Sequence, residues 1–399
     1  MRDKFKKIRI ITMPSLTAYI LASFSVFIAL FAITLWAWSN ARQNLANDLR
    51  TNLNNSTSAI NDTISNTLNS YSEVLRGSAA LFEATNEVSA EAWRQYIASL
   101  DVVSRYPGLQ AVSYIQKVPS GDLLLFLNEQ QAADGRPIQL HPDFTRDTYM
   151  VTRFIEPMTE KARPALGFDP FTDPVRRKAM EQARDSGQPV ITERTTLKRD
   201  DEQPQPGFVV YLPIFTQGSK PQTITERRQA LQGFVSAGVR SNELINELLG
   251  DRLSPNIGLE IYDGRNVSEE SLLYSSASVA TLKDSRQPLT SVEQVIDKDS
   301  NSWTIVTYGN RQLTSLAQRK QPQEILVGGT LFSALLASLL FIIMTNRARS
   351  ISEEKNREVQ EAKDSLISLA SHQLRTPATG VKQFIGMLLE GYAGKITGE

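Results

Sequence analysis

The chain contains no cysteine, which excludes disulfide bonds and thiolate metal sites from its 399 residues. Its formal charge is zero, with 43 basic and 43 acidic side chains, so the composition does not favour a nucleic acid partner. Histidine is almost absent as well, since only His141 and His372 occur. We therefore expect no metal site, and a domain outside the cytoplasm would depend on core packing alone.

Long apolar runs, by contrast, are present near both ends. Residues 16–38 and 325–345 carry no charge, and each run can cross a hydrocarbon core, which needs about 20 helical residues. Trp36 and Trp38 close the first run, as aromatic residues do at a membrane interface. The sequence predicts two transmembrane helices. The alternatives are a cleaved signal peptide for the first run, whose apolar core is long for one, and a buried core helix for the second.

Basic residues are more frequent on the outer flanks of these runs than on the flanks that face the centre of the chain. The outer flanks carry Arg2, Lys4, Lys6, Lys7, Arg9, Arg347, Arg349, Lys355 and Arg357. Because cytoplasmic flanks collect lysine and arginine, both termini are predicted inside the cell and residues 39–324 outside. The expected localisation is the plasma membrane, crossed twice.

Residues 40–82 read as one long helix, because apolar side chains keep to one stripe among Asn, Ser, Thr and charged residues. A narrow stripe of this kind favours either a dimer seam or a spine for a globular domain. A disordered linker over residues 52–69 is the alternative, which the maintained period disfavours.

Short strands and helices follow in two β-rich groups. Ser89 is a predicted helix N-cap, and Asp173 caps a helix that has Pro174 at its first position. Residues 198–206 and 217–229 are polar and are predicted to be loops. The fold class is α+β: two transmembrane helices flank a two-lobed extracytoplasmic domain with a long N-terminal helix, and a cytoplasmic coiled-coil helix follows.

Several segments in this region resemble a CHASE domain, the extracellular sensor of cytokinin receptors and of many bacterial kinases and cyclases. They are Tyr106-Pro-Gly-Leu-Gln-Ala-Val-Ser-Tyr-Ile, Gly167-Phe-Asp169, the helix that begins at Asp173-Pro-Val-Arg-Arg, and Phe208-Val-Val-Tyr-Leu-Pro213. The resemblance spans about residues 75–310. It implies two PAS-like lobes, of which the membrane-distal one binds a small molecule outside the cell.

By the same resemblance, Asp169 stands where an aspartate of cytokinin-type receptors bonds the ligand. The segments that would form the pocket wall contribute Phe154, Thr195, Leu197, Val210 and Leu212. The alternative for Asp169 is a turn residue, because residues 168–173 are rich in turn formers. His141 precedes Pro142 and is predicted to be a solvated loop histidine.

The last part of the chain carries a heptad pattern. Val359, Ala362, Leu366 and Leu369 repeat at three and four residues, which predicts a coiled-coil helix over residues 346–365 and beyond. In that register His372 lies beside the seam and is open to water. Pro377 cannot donate a backbone hydrogen bond, so a bend is expected just past this histidine.

The segment Ser371-His-Gln-Leu-Arg-Thr-Pro377 resembles the H-box of sensor histidine kinases. The resemblance implies that His372 accepts the γ-phosphoryl group of ATP and passes it to an aspartate of a response regulator. It implies a phosphatase role for Thr376. The family usually has an acidic base directly after the histidine, where this chain has Gln373, and an amide cannot take a proton.

Residues 366–399 would form the start of the phosphoacceptor domain, and no Asn-rich or Gly-rich nucleotide-binding box occurs in the sequence. The chain therefore resembles the sensor half of a homodimeric kinase, as a truncated product or a fragment. It would hold no cofactor itself, and ATP and Mg would belong to the complete kinase. The alternative is a non-enzymatic membrane receptor or decoy. No HAMP relay fits between residues 345 and 372, so residues 346–370 are predicted to be one continuous helix.

Overall fold

The computed structural model describes residues 16–390, apart from 86, 135–137, 144, 161, 200–201 and 286–287. The chain divides into two compact units. The terminal unit consists of Met1–Gln43 and Lys320–Glu399, and the central unit is Asn44–Arg319. The two helices that reach into the terminal unit are α1 (Leu16–Ala84) and α9 (Leu316–Leu389).

In the terminal unit, α1 and α9 are each long and apolar enough to cross a membrane by length and composition. They approach closely at a small residue, since a Cβ on Gly329 would lie 2.5 Å from Cγ2 of Thr34. Ser333, one turn further along α9, is also buried, whereas Leu331 and Leu335 are exposed. Small residues at the helix contact and large apolar residues facing outwards are typical of membrane helices.

In the central unit, α1 is the spine on which the rest of the fold packs. Leu53, Ile64, Leu68 and Leu75 are almost completely buried, and the opposite face of the helix is polar and exposed. The apolar stripe of this helix is therefore covered within one chain. The sequence allowed a dimer seam, a spine for a globular domain or a disordered linker. Of these three interpretations, the spine is confirmed.

Shorter helices connect the strands of the central unit. They are α2 (Ala90–Leu100), α3 (Val102–Arg105), α4 (Leu123–Asp134), α5 (Pro174–Ser186), α6 (Ile224–Ala230), α7 (Ser241–Leu249) and α8 (Ala277–Asp284). Both predicted N-caps are confirmed. The Ser89 side chain accepts a hydrogen bond from the Ala92 N–H, and Asp173 accepts from the N–H groups of Val175 and Arg176.

The larger sheet is antiparallel and has the strand order β2-β1-β6-β5-β3, with β4 paired to β5. Its strands are β1 (Leu109–Pro119), β2 (Thr148–Glu156), β3 (Val190–Ile191), β4 (Thr195–Arg199), β5 (Glu202–Phe215) and β6 (Leu231–Arg240). Side chains alternate between its two faces. In β5, Phe208, Val210 and Leu212 belong to the core shared with α1, whereas Val209 and Tyr211 pack with α5.

The smaller sheet is antiparallel with the order β8-β7-β10-β9. Its strands are β7 (Ile257–Asp263), β8 (Leu272–Ser275), β9 (Thr290–Lys298) and β10 (Asn301–Gly309). Trp303 of β10 meets Phe208 of β5 edge to face, with ring centroids 4.9 Å apart. The two β-rich lobes predicted from the sequence are thus present, and one apolar core joins them to α1.

Two local predictions need correction, and two elements were not predicted. Residues 217–229 are not a continuous loop, because Thr223 and Glu226 form a capping box that starts α6. Residues 198–206 lie largely in the paired strands β4 and β5 rather than in a loop. Helix α8 and strand β9 were not foreseen, since neither segment has a strong apolar period.

Candidate functional site

Asp169 lies in a tight turn between β2 and α5 and is 1% exposed. Its Oδ1 accepts a hydrogen bond from the Phe171 N–H at 2.9 Å, and its Oδ2 lies 3.4 Å from Nη1 of Arg146. Its own N–H donates to the carbonyl of His141. The carboxylate therefore caps a short turn and has partners within the chain, which agrees with the structural alternative for this residue.

The electrostatics of Asp169 reflect its burial. Loss of solvent raises the pKa of its carboxyl above the usual value, although the Phe171 N–H, Arg146 and the Met150 N–H act in the opposite direction. Proton binding at this position is thus easier in the folded chain than in the unfolded one.

The five predicted wall residues do not surround Asp169. Phe154, Val210 and Leu212 lie in the core between the larger sheet and α1. Phe154 is occupied there by aromatic contacts, with ring centroids 6.4 Å from Trp93 and 5.8 Å from Tyr114. Each of these three side chains fills the interior of the fold, and ligand contact by them stays a prediction.

The remaining two wall candidates are on β4. Thr195 is buried and pairs with Gly207, and Leu197 packs against the cluster that lies between the sheet and α5. Residue 207 is limited to glycine, because a Cβ there would lie 2.5 Å from the backbone oxygen of Val239 and 2.7 Å from Cδ1 of Leu197. The structure therefore separates the predicted wall into two layers on opposite faces of one sheet.

The sheet face toward α5 carries polar groups that the sequence reasoning missed. Tyr211 of β5 is buried close to Arg176 of α5, and its loss of solvent raises the pKa of its hydroxyl. The Arg176 guanidinium lies over the ring of Phe168, 5.4 Å from its centroid. In the described part of the chain, Nε of Arg176 is buried without a hydrogen-bond partner, and Asp173 Oδ2 lies 3.8 Å away.

This arrangement brings a cation, a phenol and an aromatic face together next to Asp169. A buried donor without an acceptor costs roughly 1–3 kcal/mol, which a ligand carboxylate or carbonyl could recover. The strict alternation of side chains along β5 was the signal that could have identified Tyr211, since it places this residue opposite Val210 and Leu212.

Comparison with known protein families gives a match for part of the chain. Residues 86–274 match the CHASE domain. The matched residues, called the CHASE region below, include the larger sheet, α5, Asp169 and Arg176, and they end within β8 of the smaller sheet.

Solved structures give weaker likenesses. The extracellular ligand binding receptor from Desulfohalobium retbaense DSM5692 is similar with 10% identity and a TM-score of 0.37, over 65% of this chain and 39% of the receptor. The periplasmic sensory domain of the Campylobacter jejuni chemoreceptor Tlp1 is similar with 10% identity and a TM-score of 0.41, over 68% of this chain and 97% of that domain. This chain thus spans about two fifths of the length of the first of these proteins.

His141 belongs to the CHASE region and differs from its prediction. It lies in a loop, as expected, but it is half-buried rather than solvated. The ring centroid of His141 is 5.6 Å from that of Phe168. The backbone N–H of His141 donates to the carbonyl of Gly167. Backbone pairing with the turn of Asp169 explains the difference.

His372 lies on α9, outside the CHASE region, with Gln373 directly after it and Thr376 one turn on. All three side chains are exposed, and Oγ1 of Thr376 donates to the carbonyl of His372 at 3.1 Å. Helix α9 runs unbroken from the apolar segment through this motif, so the predicted continuous helix is confirmed. It also includes Pro377, and the bend expected there stays a prediction.

The apolar residues of the heptad pattern are uncovered. Val359, Leu366 and Leu369 are each at least 60% exposed, as are Leu374 and Phe384 further along α9. An exposed apolar stripe on a helix is typical of a surface that another helix covers. Pairing as a coiled coil stays a prediction.

A further polar cluster lies in the smaller lobe and was not foreseen from the sequence. Glu260 of β7 is buried, and its Oε2 accepts hydrogen bonds of 2.7 Å from the hydroxyls of Tyr262 and Tyr308. Its Oε1 accepts from Nζ of Lys283 on α8 at 2.9 Å. Burial raises the pKa of Glu260, but these three donors outweigh it and hold the pKa below its usual value.

The same cluster raises the pKa of Tyr262 to about 12, first by burial and then by the hydrogen bond to Glu260. The network thus fixes one charge state, a carboxylate with two neutral phenols. Over residues 16–390, as far as they are described, no group of three or more His, Asp or Glu side chains could hold a metal ion.

Proposed function

We propose that this chain is the sensing and phosphoacceptor part of a membrane histidine kinase of a two-component system. A small molecule bound outside the cell by the CHASE region would control phosphorylation of His372 and transfer to a response regulator. The observation that carries the proposal is the order of parts. The CHASE region lies between two apolar helices, and the second of these continues without a break to the His372 motif.

The ligand would bind on the α5 side of the larger sheet, beside the turn of Asp169. The buried Nε of Arg176, which makes no hydrogen bond, the buried Tyr211 side chain and the ring of Phe168 support this position. They favour a ligand with a planar group and an oxygen acceptor such as a carboxylate. This replaces the predicted wall of Phe154, Val210 and Leu212, whose side chains fill the opposite layer.

The signal would pass along α9, which has no loop between residue 345 and His372. A change in the packing or rotation of a helix pair would then present or withdraw the imidazole, in the manner of a two-state element. The exposed stripe of Val359, Leu366 and Leu369 supports a homodimer, since a second copy would cover it. ATP and Mg would be supplied by an ATP-binding domain, and a neutral imidazole at His372 would attack the γ-phosphorus.

The proposal is tested by phosphorylation in trans. The full chain is mixed with Mg-ATP, with and without a compatible kinase ATP-binding domain. We expect a label that is stable to base and lost in acid, present only with the added domain. His372→Gln should abolish it, whereas the matched control His141→Gln should not, because His141 lies in the CHASE region.

The rate of labelling tests the role of Gln373. Gln373→Glu restores a carboxylate that can orient and deprotonate the imidazole, and general bases contribute about 10²–10⁴-fold. We expect part of that increase in a single-turnover measurement. An unchanged rate would remove Gln373 from the phosphotransfer mechanism.

A non-enzymatic membrane receptor is the second candidate, favoured by the amide at Gln373 in place of a base. It predicts that the chain pairs with intact kinases through α9 but takes no phosphate. Absence of label on a folded helix pair, with the added domain active on another substrate, would decide for this candidate.

A further inference from the structure

A cleft of about 470 Å³ lies in the central unit at the junction between the two sheets. Helix α7 forms one side of it with Asn242, Glu243 and Asn246, and β5 contributes Gln205. Tyr274 and Ser275 of β8 form the other side. The cleft is thus built from both lobes, and it is separate from the Asp169 turn and from the α5 face of the larger sheet.

The size of the cleft is in the range of small-molecule sites, which are commonly about 300–1,000 Å³. Most of its lining side chains are polar, and Tyr274 and Ala277 add apolar surface. Within the described part of the chain, the side chains of Gln205, Asn242 and Ser275 make no hydrogen bond. The Asn246 carbonyl oxygen accepts from the Tyr274 hydroxyl at 2.9 Å, which leaves the amide NH₂ of Asn246 as a donor toward the cleft.

The charge at the cleft is compensated. Glu243 Oε1 accepts from Nη1 of Arg240 at 3.0 Å, and its Oε2 accepts from the Gln110 amide. Arg240 is 4% exposed, so its guanidinium is a fixed internal partner of Glu243 rather than a solvent-facing group. A strongly charged ligand would find no unpaired opposite charge on these side chains.

We infer that this cleft is a second ligand site, which takes a neutral, hydroxyl-rich molecule such as a small sugar or polyol. Each free primary amide offers both a donor and an acceptor, and each hydroxyl of a sugar offers the same pair. A ligand bound to Gln205 and Ser275 together would connect β5 of the larger sheet to β8 of the smaller one. This site goes beyond the proposed function, because neither the Arg176 site nor His372 takes part in it.

The test uses the full chain in lipid nanodiscs, with glucose, trehalose and myo-inositol as probes in saturation-transfer NMR titrations. We expect at least one probe to bind at millimolar concentration. Asn242→Ala and Gln205→Ala should each weaken that binding by about fivefold, the effect of losing one neutral hydrogen bond. Asn52→Ala is the matched control, since Asn52 is exposed on the outer face of α1.

Two further variants keep the result interpretable. Ser275→Trp should block the cleft and abolish binding without a change in melting temperature, because Ser275 is exposed. Arg176→Ala should leave sugar binding unchanged, which separates this site from the one in the proposed function. Absence of binding for all three probes, or equal affinity in Ser275→Trp, would overturn the inference.

Discussion

Asp169 and Glu260 are both buried carboxylates, and their surroundings shift the carboxyl pKa in opposite directions. At Asp169 the loss of solvent dominates and raises the pKa, because its charged partner Arg146 is 3.4 Å away. At Glu260 three close donors, one of them the Lys283 ammonium, outweigh burial and lower the pKa. The number and distance of donors, and not burial alone, decide which protonation state the fold favours.

The pair of variants Asp169→Ala and Asp169→Asn tests the role of this residue in the turn. Alanine removes the acceptor of the Phe171 N–H and should reduce the free energy of unfolding by about 1–2 kcal/mol, as loss of a capping side chain does. Asparagine keeps an acceptor and should cost less. Thermal unfolding of the full chain in detergent measures both.

The pH dependence of this pair has a definite sign. Because the folded pKa of Asp169 is raised, the folded wild type binds a proton more readily than the unfolded chain. The wild type should therefore gain stability relative to Asp169→Asn as the pH falls through that raised value. The opposite trend would mean that Arg146 dominates the site. Loss of ligand affinity in Asp169→Ala alone would not establish contact, since the turn changes too.

Among the elements of the fold, helix α8 contacts the smaller sheet through Glu260 as well as through Ser278, whose hydroxyl donates to the carbonyl of Ile257 at 2.7 Å. This helix has eight residues, and only Val279 and Leu282 of its apolar side chains are buried, so packing alone fixes it weakly. Its Lys283 donates to Glu260 and also lies over the ring of Tyr308, 4.8 Å from the centroid. The buried carboxylate thus connects α8 to both β7 and β10.

Glu260→Gln should lower the free energy of unfolding by about 1–3 kcal/mol at neutral pH, the range for hydrogen bonds to a charged group. Since the folded pKa of Glu260 is lowered, its contribution is present above the ordinary carboxyl pKa. The advantage of the wild type should therefore shrink below about pH 4. Glu269→Gln, at an exposed position, is the matched control for denaturant unfolding. An advantage that persists at low pH would contradict the assigned charge state.

At the scale of the whole molecule, the arrangement across the membrane remains a prediction from the lysine and arginine counts. The exposed segment around Lys220, just before α6, gives it a direct test. Endoproteinase Lys-C, which also cuts Lys–Pro bonds, should cut at Lys220 when it is added to spheroplasts and should spare Lys355, which follows the second apolar run. Inside-out vesicles should show the reverse pattern. Protection of Lys220 in spheroplasts would invalidate the predicted orientation.

Much of the element structure could be predicted because its signals are local. The N-caps at Ser89 and Asp173 depend on a few neighbouring residues. The long spine of α1 follows from a stripe that recurs every three or four residues. The same local logic predicted strands from β-branched runs. It missed α8 and β9, whose sequences carry weak periods, and it overlooked the capping box of α6 although Thr223 and Glu226 have the required spacing.

The candidate site could be predicted only in part. Asp169 was selected by resemblance, and its turn was foreseen from residues 168–173, but its partner Arg146 was not. The face on which Val210 and Leu212 lie depends on which helix covers which side of the sheet. A register shift of one residue exchanges the two faces, and no residue near β5 in the sequence specifies the choice.

Local sequence signals were enough to predict the apolar helices, the long spine, the helix caps and the position of His372 on a continuous helix. These features arise from hydropathy, periodicity and hydrogen bonds between residues within a few positions of one another. Packing of the layers was needed to bring Arg176 and Tyr211 together beside Asp169, and to bring β7, β10 and α8 together at Glu260. The physical reason is that burial and hydrogen bonding at these sites join residues far apart in the chain, and their partners exist only once the layers have packed.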